Sequence, residues 1–76
     1  MKLDVLDTIV LLKDLPEKNL CRGDIGAIVE MYSPDGIEVE FVTGTGQTQA
    51  LVTLKTKDVR LVSGSDILAV RSLDAA

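Results

Sequence analysis

Ile37, Val39 and Phe41 alternate with Glu38 and Glu40 directly after the tetrapeptide Ser33-Pro34-Asp35-Gly36, and this pattern restricts the chain more than any other feature in it. A period of two places apolar side chains on one face of a strand and carboxylates on the other. In the turn, Pro34 presets φ, Asp35 bonds the local backbone and Gly36 accepts a positive φ. Residues 25–32 and 37–42 therefore read as the two arms of a hairpin. Glu30 marks the outer face of the first arm, which puts Ala27, Val29 and Met31 inside.

The rest of the chain keeps the same rhythm. Short apolar segments are bounded by Gly, Pro, Asp and Asn, and no window sustains a helical stripe over three turns. Residues 8–12 form a first strand, apolar on both faces, with a short helix starting at Asp4 or Asp7 as the alternative. Residues 13–24 form one long polar loop broken by Pro16 and Gly23, anchored by Leu15 and Leu20 folding back onto the core. After a loop at 43–47, residues 48–54 give a fourth strand with Ala50, Val52 and Leu54 inward, and 58–62 a fifth after a brief turn. Residues 67–70 read as a sixth strand, or as one helical turn capped by Ser65 or Asp66. The expected fold is all-β, a small SH3-like barrel of five short strands with the C-terminal tail as a sixth. Val29, Met31, Val39, Phe41, Val52 and Leu54 are its expected core. Residues 1–62 make the barrel, and 63–76 an extension packed on it or at a dimer contact, with Ala75 and Ala76 frayed.

Seventy-six residues suffice for one domain, and 46% apolar residues for a packed core. With one cysteine and no histidine the chain has no internal disulfide and no metal-ligand set, which suits a reducing compartment. Cys21 is expected to pack as a small hydrophobe. The serines stand in turns or the tail without a histidine to act as base. Gly44 and Gly46 are followed by a strand, not by the helix that a phosphate loop needs. Glu30, Glu38 and Glu40 lie on a convex face, where no pocket raises a carboxyl group into the range of a general acid. The expectation is a protein that is not an enzyme and carries no cofactor. The net charge of −4 repels phosphate backbones, so nucleic acid is a disfavoured partner. The first apolar run, Ile9 to Leu12, is too short for a signal peptide or a membrane span, and a cytoplasmic location without membrane contact is expected.

The segment Arg22-Gly23-Asp24-Ile25-Gly26-Ala27-Ile28-Val29 has the glycine rhythm of the KOW segment of some ribosomal and transcription-factor barrels, with Gly26 allowing a bend or bulge. Tyr32 and Phe41 are the only aromatic residues, however, and they make no stacking platform. Residues 12–17 (Leu-Lys-Asp-Leu-Pro-Glu), 20–30 (Leu-Cys-Arg-Gly-Asp-Ile-Gly-Ala-Ile-Val-Glu) and 39–42 (Val-Glu-Phe-Val) resemble a family of short bacterial proteins known as domain of unknown function 4926. The likeness covers about residues 6 to 62, with Ala27 where the family pattern suggests Thr. It implies an SH3-like barrel in a bacterial cytoplasm and no particular activity.

The expected function is a non-catalytic module for protein–protein interaction. A KOW-like nucleic-acid-binding barrel and a small accessory subunit of an enzyme or electron-transport complex are the alternatives. Parity sends Ile28, Glu30, Tyr32, Glu38, Glu40 and Leu51 to the outer sheet face, and Asp14, Glu17 and Asp24 on the long loop extend the surface. An apolar centre with an acidic rim suits a basic protein partner. The apolar tail allows a homodimer.

Overall fold

The structure, a computed structural model, describes residues 2–74. The expected fraying of Ala75 and Ala76 falls outside them. Five strands, β1 (Thr8–Leu11), β2 (Ile25–Tyr32), β3 (Gly36–Val42), β4 (Thr48–Lys55) and β5 (Val59–Leu61), form one sheet in the order β4-β3-β2-β1-β5. Every neighbouring pair is antiparallel. The all-β expectation holds. Short 3-10 turns at Pro16–Lys18 and Thr56–Asp58 interrupt the connections. In the first of them Pro16 occupies the opening position, where its missing N–H costs nothing.

One sheet with no second layer can bury a face only by coiling around it. Ile9, Leu11, Ile28, Ile37, Val39, Phe41, Val52, Leu54 and Val59 fill that inner face, and Leu3 and Leu20 complete the core. Leu20 and, more loosely, Leu15 are thus folded back from the long loop as their composition predicts. A backbone bridge pairs the two residues. The alternative helical start is replaced by a tight turn, in which Asp7 N–H donates to Asp4 O at 3.1 Å and Leu6 takes φ 77.

The second strand departs from simple alternation. Ile28 pairs with Val39 and Glu30 with Glu38, leaving Val29 as the extra residue of a β-bulge. A bulge reverses the facing of everything on one side of it. Ile28, expected on the outer face, is therefore inside at 0% exposure, and Ala27, expected inside, faces out beside Glu40. Val29 is not a core residue but 37% exposed. Met31 shares a face with Ile37 yet lies toward the hairpin turn and stays 38% exposed. The bulge falls at Val29, not at Gly26. What demands glycine at 26 is close packing, since a Cβ there would meet Val39 Cγ1 at 2.7 Å. Gly36 likewise opens β3 without a positive φ, and a Cβ on it would lie 3.3 Å from that of Tyr32.

The tail is neither a sixth strand nor a helical turn. Residues 67–70 are irregular, and Ile67, Leu68 and Val70 are 92%, 65% and 99% exposed. The tail is nonetheless tied to the domain, and Leu73 is half-buried.

Candidate functional site: the outer face of the sheet

Beyond the bulge the outward residues fall into register. Glu30 stands directly opposite Glu38, which stands opposite Thr53; Glu40 stands between Ala27 and Leu51. A second irregularity, with Gln49 as the extra residue, lets Val42 pair with Thr48 while both still face out. The result is a patch of three carboxylates with Leu51, Val42 and Tyr32 exposed among them.

Hydroxyl groups orient two of the carboxylates. Thr53 Oγ1 donates to Glu38 Oε1 at 2.6 Å, and Thr48 Oγ1 donates to Glu40 Oε2 at 2.5 Å. Tyr32 OH reaches Glu38 Oε1 at 3.4 Å, a weak contact. Partial burial, followed by the charges of Glu38 and Glu30, pushes the Tyr32 phenol above its ordinary value. None of the three glutamates joins a salt bridge among the described residues, whose four ion pairs all involve aspartates. The face therefore carries uncompensated negative charge.

Of the outer-face residues expected from sequence, Glu30, Tyr32, Glu38, Glu40 and Leu51 come together, and Ile28 does not. The three loop acids have other surroundings. Asp14 accepts the Arg22 N–H at 2.8 Å, and Asp24 accepts the Cys21 N–H at 2.8 Å, so both carboxylates shape the loop itself. Glu17 is exposed in the first 3-10 turn. Cys21 is exposed as well, contrary to its expected packing, because Leu20 takes the inward position beside it. Thr48 and Thr53, absent from the sequence-based site, are the oxygen donors that order it. The outward parity of β4 signals Thr53, whereas Thr48 shares the parity of the inward Ala50 and faces out only through the irregularity at Gln49.

Two Arg–Asp pairs hold the tail. Arg60 makes two hydrogen bonds to Asp66, at 2.8 and 3.0 Å, and holds its carboxyl at about 2. Arg71 makes two to Asp24, at 2.8 and 2.6 Å, and donates to Asn19 O at 3.0 Å. The Arg71 guanidinium keeps the Asp24 carboxyl below the usual range against a smaller opposing effect of burial. Between tail and barrel lies an open cleft of about 730 Å³, with Leu20, Ile25, Phe41 and Val42 on one side and Leu68 and Leu73 on the other. No group of three or more metal-ligating side chains occurs among the described residues, and none of their helices is long and apolar enough to cross a membrane.

These features define a small all-β domain with an acidic, partly apolar sheet face. The chain belongs to the family described as Domain of unknown function (DUF4926), whose model matches residues 5–61. The match ends where β5 ends, so the tail lies outside it. No curated protein and no solved structure matches the chain.

Proposed function

We propose that the domain is a non-catalytic, cytoplasmic module, built as an SH3-like barrel, that binds a basic segment of another protein on the outer face of its sheet. The observation that carries this reading is the direct cross-strand pairing of Glu30 with Glu38. Like charges placed opposite each other weaken a sheet, and a cationic ligand relieves the repulsion. Glu40 extends the negative field, while Leu51, Val42 and Tyr32 supply apolar surface that a partner can desolvate. Thr48 and Thr53 hold two of the carboxylates in place before binding, which lowers the ordering cost. The four-strand meander with a long first loop and a 3-10 turn before the last strand supports the barrel assignment.

The test is affinity capture from the native host with the wild-type chain and with a Glu38→Lys/Glu40→Lys variant, followed by measurement of binding by the purified partner. Retention of a basic protein by the wild type and its loss by a folded variant is the expected result. Equal retention by both removes this face from consideration.

A further inference from the structure

Ile67, Leu68 and Val70 are the most exposed run of apolar side chains among the described residues, and the segment that carries them is anchored at both ends. Asp66, just before the segment, is gripped by Arg60, and Arg71, just after it, grips Asp24. No backbone hydrogen bond involves residues 67–70 among the described residues. The segment is thus an irregular, apolar stretch with free main-chain donors and acceptors, stretched between two ion-pair clamps.

The same molecule carries a matching acceptor. β4 is the end strand of the sheet, so one of its two edges has no neighbour. It runs for eight residues, against three for β5 at the other end. From Ala50 to Leu54 this edge carries no charge, proline or glycine to block pairing. Val52 and Leu54 fix its inward facing, and Leu51 is exposed beside it.

We propose that residues 67–70 of one copy of this chain add as a strand to the free edge of β4 in a second copy, reciprocally, giving a two-fold homodimer. The area argument selects a second copy over another protein. The three exposed side chains offer on the order of 500 Å² of apolar surface, the size at which a patch ordinarily has a use. A one-way contact of that segment would bury about 1,000 Å² in total, below the roughly 1,200–2,000 Å² of specific stable interfaces. Two-fold exchange makes each contact twice and reaches about 2,000 Å². Backbone pairing supplies the geometry, as in other cases of strand addition.

Light scattering coupled to size exclusion, at up to about 100 μM to include micromolar dissociation constants, reads the outcome. The wild type should be dimeric at the upper concentrations. Ile67→Asp/Val70→Asp should be monomeric, as should Leu51→Lys/Thr53→Lys, with circular dichroism showing that each stays folded. Mixing the two variants should restore no stable dimer, because the one contact left intact, the tail of the edge variant on the edge of the tail variant, is the one-way contact that falls short of a stable interface. A monomeric wild type, a variant of either kind that still dimerises alone, or a mixture that dimerises as tightly as the wild type would each overturn the proposal.

Discussion

Arg71 reaches back 47 residues to Asp24 and joins it through two hydrogen bonds, at 2.6 and 2.8 Å, making the tail and the long first loop one structural unit. Because the Asp24 carboxyl is held below its unfolded value, the pair contributes stability above the ordinary carboxylate range. That contribution is lost as pH falls through the depressed value. Asp66, held at about 2 by Arg60, behaves in the same sense. Arg71→Gln should move the Asp24 titration upward, since the guanidinium is the largest cause of its depression and the hydrogen bond that remains, from the Cys21 N–H, has a smaller effect than the opposing one of burial. Carboxyl NMR titration of both proteins checks this, and backbone relaxation should report residues 68–73 as newly mobile.

Phe41 is 3% exposed on the inward face of β3. Phe41→Ala should cost about 3–5 kcal/mol, a large share of the stability of so small a domain, and a thermal melt measures it. An unchanged melting temperature would mean that the strand faces the other way.

Gly26→Ala should also destabilise, by about 1–3 kcal/mol, through overpacking. The added methyl would press on Val39 Cγ1, with the Glu40 carbonyl and Phe41 Cδ1 both 3.0 Å away, so side-chain motion alone cannot clear it. Urea denaturation should place its midpoint clearly below that of the wild type.

The bulge in β2 makes a sharper contrast. Ile28→Ala should cost about 2–5 kcal/mol and Val29→Ala less than about 1 kcal/mol, although simple alternation orders them the other way. Paired denaturation curves decide between the two registers.

That contrast also marks how far the sequence is legible. In β3, Ile37, Val39 and Phe41 obey strict alternation, and their turn is flanked by breakers, so facing and boundaries are written locally. In β2 the segment Ile-Gly-Ala-Ile-Val is apolar at four of its five positions, and nothing in it distinguishes a continuous strand from one with an extra residue. The bulge is supported from elsewhere: Leu6 N–H donates to Ile28 O and Ile28 N–H donates to Asp7 O, contacts that no window around Val29 reveals. The glutamate face was legible because it depends on β3 and on the half of β2 beyond the bulge. The Arg–Asp clamps on the tail were not, since Arg71 and Asp24 meet only through the folded loop.

The pairing of Glu30 with Glu38 yields a prediction in which stability and binding move in opposite directions. Removing one charge of a like-charged cross-strand pair relieves repulsion, so Glu30→Gln should raise stability by roughly 0.2–1 kcal/mol. The gain should shrink as salt is added, because both groups border solvent and their interaction is screened. Glu30 is the better choice for the substitution, since Glu38 also accepts the Thr53 hydroxyl and its replacement would disturb that bond. Tyr32 reports on the same field: its phenol is raised in part by Glu30, so an ultraviolet titration of the variant should find it ionising at lower pH than in the wild type. If the face binds a cationic partner, the more stable variant should bind more weakly and with a shallower dependence on salt, chiefly through slower association. Melts at low and high salt, the tyrosine titration and association rates measured on one variant test the electrostatic reading at three points. A variant no more stable than the wild type at low salt, with an unmoved tyrosine, would mean that the two carboxylates do not share a field.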